Sequence, residues 1–397
     1  MSKPTSFLSS LSPEKLKVWV LAPYLKSADE NIDYYYDFSQ SIAEYTKTFK
    51  EMNIEWTWQP VTMFDFKTII ESIIEEKNSG RYFPIVFNLC DGDEVNGTPG
   101  ISVVRLLQRS NLVFTGADEF FYDITTSKIP MKKAFDNARV STAKWEAITD
   151  ADQNIAGIFG RLGCPIILKP SVSGGSMGLG IKNVIHNEHE LTLLVKQMFQ
   201  GYRGWDLATD GLIAESFVAG SEFTTLIVGS WDKPEFAFVY NPVERVFHES
   251  LPDEQKILSF DRLWEIYEEE SPMPDDGNFY EYEKPDEALV EKIKELSWEA
   301  FVAMKGKGYT RVDLRQDKVT GKIFVLEVNA QCGLSEDEDY TSIGAILRLS
   351  GKSFTELVKE IINTAFMAIA TKTSKRTNSK LYKIEEPLPL RKLRGSA

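Results

Sequence analysis

The chain has few histidines and cysteines, and these shortages exclude several kinds of site. Its 397 residues include only three histidines and three cysteines. With so few imidazoles, we do not expect a histidine-based catalytic triad. The cysteines are odd in number and widely spaced, which argues against a disulfide framework or a zinc knuckle.

Long apolar runs are also missing, and so is an excess of positive charge. No run approaches the roughly 18 residues of a membrane-spanning helix, and residues 1–12 lack the layout of a secretory signal. We therefore expect a cytoplasmic protein without a membrane partner. The net charge of −14 disfavours binding to nucleic acid. Residues 372–394 differ from the rest, with eight Lys or Arg, and are predicted to form a solvated or docking tail.

What is present is the composition of an ordinary globular protein, 43% hydrophobic and 12% aromatic. The first third alternates apolar segments with amphipathic ones. We predict strands at 17–22, 54–61 and 84–88, with helices at 37–52 and 65–77. This alternation predicts a parallel sheet with helices on its faces. Ligands of such sheets tend to bind at the C-terminal ends of the strands.

A glycine-rich loop follows a predicted strand in the second third of the chain. Helices are predicted at 127–137 and around 151–162, and a strand at 165–169 ends on a lysine. Residues 170–180 then hold four glycines and three serines, before a strand predicted at 181–184. Backbone N–H groups in such a loop can close around an anion, although a flexible hairpin loop is the alternative. The preceding lysine favours phosphate.

Two short strands, predicted at 310–314 and 325–329, carry the strongest signal. Because side chains alternate along a strand, Arg311 shares a face with Asp313, and Glu327 shares a face with Asn329. The short turn between them predicts an antiparallel pair. Two carboxylates and an amide oxygen beside a guanidinium predict a Mg²⁺ site that carries a nucleotide phosphate. A surface hairpin with solvated acids is the alternative.

The remaining segments complete a third unit. Strands are predicted at 212–215 and 222–228, and an acidic, proline-broken stretch at 253–287 is predicted to be a surface excursion or lid. An amphipathic helix at 289–304 precedes the strand pair. Two closing helices, at about 342–349 and 353–371, end the unit.

With these motifs in order, the chain resembles the ATP-grasp enzymes, and most of all the D-alanine–D-alanine ligase branch. The resemblance covers about residues 17–370, and five separated segments agree. It implies an α/β fold, α+β in the central and C-terminal parts, with three domains and a parallel sheet in the N-terminal one. The implied units are an N-terminal substrate domain at 1–125, a central subdomain with the glycine-rich loop at 126–218, a C-terminal subdomain with the magnesium site at 219–370, and a basic tail at 371–397.

The resemblance also implies a role for individual residues. Those matched to the phosphates of ATP are Lys128, Lys169, Ser173, Gly174, Gly175, Ser176 and Met177. Those matched to the adenine and ribose are Glu215, Ser216, Phe217, Val218 and Glu222. The magnesium ligands are matched by Asp313, Glu327 and Asn329. The residues matched to catalysis are Arg311, Gly333, Ser176 and Arg262.

The implied activity is a two-step ligation. A carboxylate would attack the γ-phosphate of ATP to give an acyl phosphate, and an amine would then displace phosphate to form an amide. The implied cofactors are ATP and Mg²⁺, with two ions bound and Mn²⁺ as a substitute. The resemblance also implies a homodimer, with a monomer as the alternative. Two other functions stay open: an ATP-grasp kinase acting on a small molecule, and a nucleotide-binding regulator without turnover.

Departures from the branch concern the substrates more than ATP. The usual glutamate after the first strand and the loop serine are replaced by the segment 33–37 and by Gly175, and His-Gly becomes Asp91-Gly92. These changes leave the D-alanine specificity of the branch open. The usual Lys-Tyr of the lid is absent, and Arg262 is either its replacement or part of a surface salt bridge. Four acids at 336–339 are predicted to attract a cationic amine donor.

Overall fold

The computed structural model describes residues 15–25, 37–202, 204–274 and 277–381, with side chains described as far as residue 368. Two sequence predictions lie outside these residues: the substrate segment 33–37, apart from Asp37, and the basic tail beyond Leu381. Within the described part of the chain, no helix is long and apolar enough to cross a membrane.

The N-terminal unit is a four-stranded parallel sheet in the order β2-β1-β3-β4. The strands are β1 Leu16–Pro23, β2 Glu55–Val61, β3 Phe83–Asn88 and β4 Val113–Phe114. The helices between them are α1 Ser39–Met52, α2 Phe66–Ser79 and α3 Ile101–Arg109. The predicted alternation is therefore confirmed, because a strand covered on both faces by helices carries a nearly continuous apolar run.

The central unit is an antiparallel sheet in the order β5-β8-β6-β7. Its strands are β5 Trp145–Ile148, β6 Ile166–Pro170, β7 Val184–Ile185 and β8 Leu212–Ser216. The helices of this region are α4 Glu119–Thr126, α5 Lys128–Ala138, α6 Ile158–Leu162 and α7 Glu188–Phe199. The glycine-rich loop joins β6 to β7, as predicted.

Two local predictions in the central unit are wrong. The helix expected at 151–162 forms only over α6, because the side chains of Asp150 and Asn154 accept backbone N–H bonds in turns and Gly157 adopts a left-handed φ of 73°. The segment expected as a strand at 181–184 begins as a 3₁₀ turn over Ile181–Asn183. There the Asn183 side chain accepts from Gly180 N at 2.8 Å and donates to Leu168 O at 2.8 Å.

The largest sheet has six strands and contains the predicted strand pair. Its main order is β12-β11-β9-β13-β14, with β10 paired to β9, and all pairs are antiparallel. The strands are β9 Glu222–Ser230, β10 Phe238–Val239, β11 Val243–Phe247, β12 Tyr280–Glu283, β13 Lys307–Gln316 and β14 Ile323–Ala330. The excursion at 253–287 is more structured than predicted, since it contributes the edge strand β12 and the short helix α8 Phe260–Leu263.

Three further helices pack around this sheet: α9 Glu287–Ala303, α10 Ser342–Ser350 and α11 Phe354–Leu381. The last one runs ten residues beyond the predicted end at 371 and so includes the start of the predicted tail. Its first turns share a buried cluster with the N-terminal sheet, in which the Phe354 ring lies 5.4 Å from Tyr45 and the Phe366 ring 5.9 Å from Phe83. The C-terminal helix thus fixes the N-terminal unit against the large sheet.

Candidate active site

One face of the large sheet carries the three predicted metal ligands together with Arg311. Along β13, Arg311, Asp313 and Arg315 alternate onto the same face, as a period of two requires. On the neighbouring strand β14, Asn329 pairs with Arg311 and Glu327 pairs with Asp313. The predicted antiparallel pair is therefore confirmed, and the alternative of solvated acids does not hold for Asp313, which is 6% exposed.

The predicted metal ligands lie within contact of one another. Asn329 Nδ2 donates to Asp313 Oδ2 at 2.9 Å and to Glu327 Oε1 at 3.3 Å. Arg311 donates two hydrogen bonds to the same aspartate, from Nε at 3.1 Å and from Nη2 at 2.9 Å. Thr224 on β9 donates to the remaining oxygen of Asp313 at 2.8 Å.

The two carboxylates are oxygen donors held side by side, which fits Mg²⁺. In the described residues no three Asp, Glu, His or Cys side chains form a metal-binding group, so the third ligand must be of another type. Asn329 supplies it if its amide turns by 180°, because Oδ1 then takes the place of Nδ2 between both carboxylates. The donor set therefore fits the ion that the sequence predicts.

The electrostatics of this pair also favour a cation. Burial raises the pKa of Asp313, more than Arg311 lowers it, and the nearby charge of Glu327 adds to the rise. Burial acts in the same direction on Glu327, but Lys128, Lys169 and Arg311 outweigh it, so that its pKa is lowered. A divalent cation would remove the repulsion between the two carboxylates.

Lys128 links the metal ligands to the glycine-rich loop. It is the first residue of α5, and its Nζ lies 3.7 Å from Glu327 Oε2 and 3.3 Å from Ser173 Oγ. The helix start is fixed against the loop, because Lys128 N donates to Ser171 O at 2.8 Å. A lysine between a carboxylate and a loop serine is well placed to contact an anion held by both.

Lys169 and Glu215 are joined in a buried network that sequence reasoning missed in part. Lys169 Nζ lies 2.7 Å from Glu215 Oε2, and Lys132 Nζ lies 2.5 Å from Glu215 Oε1. Lys132 is 1% exposed and also donates to Thr142 Oγ1 at 2.6 Å. Burial raises the pKa of Glu215, but the two lysines outweigh it and lower that pKa to about 2. Burial lowers the pKa of Lys132, against the attraction of Glu215.

The other residues matched to adenine and ribose lie beside this network. Ser216 Oγ donates to Leu162 O, Phe217 N donates to Pro165 O at 3.1 Å, and Val218 is buried. Glu222 forms a buried cluster with two arginines, Arg245 on β11 and Arg315 at 3.5 Å. Glu222 pairs with Arg315 and lies two residues before Thr224 on β9, so its side chain lies on the same sheet face as Asp313.

Helix α8 holds the glycine-rich loop in place. Trp264 Nε1 donates to Gly175 O at 2.9 Å, and Phe260 N donates to Leu179 O at 2.8 Å. At the far end of the loop, Ile181 N donates to Glu270 Oε1 at 2.8 Å. Ser176, with a left-handed φ of 61°, lies within the stretch that these contacts fix, as do Gly174 and Met177. The excursion therefore fixes, by hydrogen bonds to its backbone, the loop that is matched to the phosphates.

Two predicted residues are not joined to this group by the contacts that they make. Arg262 is buried rather than on the surface: Nε lies 3.4 Å from Glu270 Oε2, and the guanidinium lies 5.5 Å from the Phe279 ring. The predicted salt bridge exists, but it belongs to the interior of the excursion. Gly333 is exposed, and a Cβ atom on it would meet nothing within 4 Å.

The residues that sequence reasoning missed are Lys132, Arg245, Arg315, Trp264 and Glu270. Arg315 had a usable signal, because it follows Arg311 and Asp313 at the same spacing of two. Lys132 had one as well, since it lies one helical turn after Lys128. Arg245, Trp264 and Glu270 had none, because their partners are distant in the sequence and depend on how the excursion folds back.

Comparison with known proteins gives a consistent result. The family model described as D-ala D-ala ligase C-terminus matches residues 134–363. The D-alanine–D-alanine ligase of Pseudoalteromonas atlantica is 26% identical over 270 residues, covering 66% of this chain and 73% of that relative. The D-alanine–D-alanine ligase of Idiomarina loihiensis is 25% identical over 296 residues, covering 74% and 82%.

Solved structures with the same fold are also found. A D-alanine–D-alanine ligase from Bacillus anthracis complexed with ATP superposes with a TM-score of 0.61 at 16% identity, over 90% of this chain and 99% of that one. The D-alanine–D-alanine ligase from Coxiella burnetii gives a TM-score of 0.61 at 16% identity, over 94% and 100%.

Proposed function

The chain belongs to the D-alanine–D-alanine ligase family, and from this premise we propose how its residues carry out the reaction of an ATP-grasp ligase. The reaction is an ATP-dependent joining of a carboxylate to an amine that forms a dipeptide bond. One observation carries the assignment of residues: Arg311, Asp313, Glu327 and Asn329 meet on one sheet face, with Lys128 3.7 Å from Glu327. This group combines acids for a metal with cations for phosphate.

In the first step, a carboxylate oxygen of one substrate attacks the γ-phosphorus of ATP. A new O–P bond forms while the bond to the β-phosphate oxygen breaks, and ADP leaves. Arg311 and Lys128 stabilise the charge that builds up on the transferred phosphoryl group. The backbone of the loop around Ser173 and Gly174 excludes water from the site. This exclusion protects the acyl phosphate from hydrolysis.

In the second step, the amine of the other substrate attacks the acyl carbon. Its lone pair forms the C–N bond, phosphate leaves with the electrons of the C–O bond, and the amine loses its proton to phosphate or solvent. Arg311 and the exposed backbone N–H near Gly333 are assigned to the oxyanion of the tetrahedral intermediate. No side-chain nucleophile is required, which agrees with the scarcity of histidine and cysteine.

Asp313, Glu327 and Asn329 would hold Mg²⁺. A bound magnesium ion supplies positive charge to the phosphate oxygens, which lowers the repulsion that an attacking carboxylate meets. The binding of two ions and their replacement by Mn²⁺ stay predictions.

The nucleotide base is assigned to the β8 end of the site. The backbone of Glu215 to Val218 leads out of β8 next to Lys169, and Glu222 follows at the start of β9. Because the Glu215 side chain is occupied by Lys132 and Lys169, we assign it to orienting Lys169 rather than to touching adenine. Glu222 is proposed to reach the ribose from between its two arginines.

We propose amino acids or peptide-like acids as substrates, without a requirement for D-alanine. The named relatives are D-alanine–D-alanine ligases, but Asp91-Gly92 stands here where the branch has His-Gly. Gly92 is fixed by its backbone, since its N donates to Pro99 O at 2.9 Å and its O accepts from Tyr122 at 2.7 Å. The backbone at Gly92 is therefore rigid. Next to it, Asp91 places an acidic side chain where the branch has a histidine.

The proposal is tested by measuring magnesium-dependent phosphate release from ATP across single and paired L- and D-amino acids, with mass spectrometry of every active mixture. We expect phosphate release that requires a pair, and a product lighter than the two substrates together by one water. ADP with a phosphorylated product would show the kinase reaction instead. Nucleotide binding without turnover for any pair would support a regulator.

Two finer expectations remain proposals. A cytoplasmic location follows from the need for ATP, which cells hold internally. A homodimer formed through the N-terminal units is proposed from the family resemblance, and sedimentation of the purified chain would distinguish it from a monomer.

A further inference from the structure

A cavity of about 830 Å³ opens between β12, the excursion and the turn that follows Gly333. Its walls combine aromatic rings with both signs of charge. The residues that matter here are Arg262, Tyr280, Tyr282, Glu338, Asp339 and Tyr340. Small-molecule sites have volumes of roughly 300–1,000 Å³, so this space exceeds the needs of a single small amino acid such as alanine.

The cavity adjoins the candidate active site through two tyrosines. Tyr282 is opposite Arg245 in the sheet, and its hydroxyl accepts from Arg245 Nη2 at 3.0 Å. The Tyr280 ring lies 5.1 Å from the Arg245 guanidinium, which shares the sheet face of Glu222 and Arg315. A ligand in the cavity would therefore have one end next to the sheet face that holds Arg311.

Only two of the four acids predicted to attract a cationic donor are available for it. Glu336 is paired with Lys47 at 2.9 Å. Asp337 accepts the backbone N–H groups of Asp339 and Tyr340 at 3.1 Å each, and so holds the turn together. Glu338 and Asp339 remain, and both line the cavity.

The cavity is also lined by a guanidinium and by an aromatic side chain. Arg262 is 7% exposed, and its Nη1 makes no hydrogen bond among the described residues. Tyr340 has the opposite character: its side chain is 70% exposed, while its backbone N–H donates to Asp337 and its backbone oxygen accepts from Tyr280. Exposed aromatic rings beside carboxylates are a favourable surface for an alkyl-ammonium or guanidinium group.

We propose that this cavity binds the amine donor, and that the donor is an amino acid or short peptide with a second, cationic group. The inference rests on the proposed ligase function and names one of its two substrates. Glu338 and Asp339 bind the cationic group, Tyr340 covers its alkyl stem, and Arg262 receives the donor's carboxylate. This assignment replaces the expectation that Arg262 contacts phosphate.

The test compares lysine with norleucine as donors, because the two share a linear stem and differ in the terminal ammonium. We expect the wild-type enzyme to prefer lysine by about tenfold or more in kcat/KM, as charge-assisted contacts in a partly enclosed site require. In the Glu338→Gln/Asp339→Asn variant this preference should fall to within about threefold, while the KM for ATP is unchanged.

A matched control removes two charges from a remote surface. Glu295 and Glu299 are exposed on α9, so the Glu295→Gln/Glu299→Gln variant should keep the wild-type preference. Equal use of lysine and norleucine by the wild-type enzyme would overturn the proposal, as would a preference that survives the loss of both cavity acids.

Binding measurements separate this inference from the ligase function itself. Calorimetric titration of lysine and of norleucine is performed with a non-hydrolysable ATP analogue and Mg²⁺ present. If lysine binds more tightly than norleucine, and if the Glu338→Gln/Asp339→Asn variant binds lysine more weakly, the cavity is a binding site for cationic donors even if no amide forms with any pair. If amides form but the preference for lysine is unchanged in the same variant, the ligase function is supported and the proposed role of the cavity is overturned.

Discussion

At the scale of single residues, the candidate site consists of charged side chains that are held close together and are largely buried. Asp313 and Glu327 are neighbours across two strands, with Arg311 2.9 Å from Asp313 and Lys128 3.7 Å from Glu327. Groups of this kind rarely serve stability alone, because burying like charges is unfavourable without a bound cation. Function is the simplest reason for their arrangement.

Replacing Glu327 with glutamine should abolish turnover without unfolding the protein. The amide keeps the shape and the hydrogen bond with Asn329 but removes one metal-binding charge. We expect kcat to fall by about 10³-fold, which corresponds to a loss of several kcal/mol of transition-state stabilisation. Phosphate release measures the rate, and thermal unfolding provides the control. Turnover within a few-fold of wild type would remove Glu327 from the site.

Acid stability should depend on Glu215. Its native pKa of about 2 lies below its unfolded value of 4.5, so its contribution to stability is complete above pH 4.5 and is lost as the pH falls towards 2. We expect wild type to lose more unfolding free energy over this range than Glu215→Gln, by an amount of the order of 3 kcal/mol. Urea unfolding at several pH values measures the difference.

The surface variant Glu295→Gln serves as a control for that measurement, because an exposed carboxylate has little effect on stability. Parallel pH profiles for wild type and Glu215→Gln would contradict the buried network of Lys132, Glu215 and Lys169.

The same network shows what could not be predicted from the sequence. Lys169 and Glu215 were matched to phosphate and adenine, yet their mutual contact depends on the β6–β8 pairing, which periodicity does not reveal.

At the scale of elements, the excursion is the least expected part of the fold. Its acidic, proline-broken composition indicated a surface segment, and the composition carries no information about which strand it joins. The structure places β12 at the sheet edge and α8 on the glycine-rich loop. Long-range pairing of this kind is decided by tertiary contacts rather than by local propensity.

Trp264→Phe should weaken ATP binding without destabilising the protein. The change keeps a ring against Gly175 but removes the Nε1 hydrogen bond to its carbonyl. A typical net hydrogen bond contributes about 0.5–1.5 kcal/mol, so we expect the KM for ATP to rise by about 2- to 13-fold. Steady-state phosphate release at varied ATP measures it.

Trp19→Phe is the matched control for Trp264→Phe. It also removes an Nε1 hydrogen bond, the one to Glu76 at 2.7 Å, but it lies on β1 in the N-terminal sheet. The KM for ATP should be unchanged in this control. Equal effects of the two variants would mean that α8 has no special action on the loop.

At the scale of the whole molecule, the sequence was most informative about order and least informative about packing between units. Alternating segments predicted the parallel N-terminal sheet, and the spacing of Arg311, Asp313, Glu327 and Asn329 predicted that an antiparallel strand pair would bring these four side chains together. Nothing in the sequence indicated that α11 would pack on the N-terminal unit, because this contact joins residues more than 280 positions apart.

Phe366→Ala should destabilise the molecule by loosening that contact. The side chain is 3% exposed and lies against Phe83, so its loss leaves a cavity between α11 and β3. We expect the free energy of unfolding to fall by about 3–5 kcal/mol. Phe64→Ala, at a position 88% exposed, should change it by less than about 0.5 kcal/mol. Similar values for both variants would contradict the packing described here.

The proposed ligation requires that a substrate carboxylate is activated as an acyl phosphate. The most direct test uses an acid substrate labelled with ¹⁸O in its carboxylate, together with ATP, Mg²⁺ and the amine donor. We expect each amide formed to release one phosphate that carries one ¹⁸O atom. The carboxylate oxygen that attacked the γ-phosphorus stays on phosphate when the amine attacks the acyl carbon and the C–O bond breaks. Unlabelled phosphate alongside amide formation would contradict an acyl-phosphate intermediate.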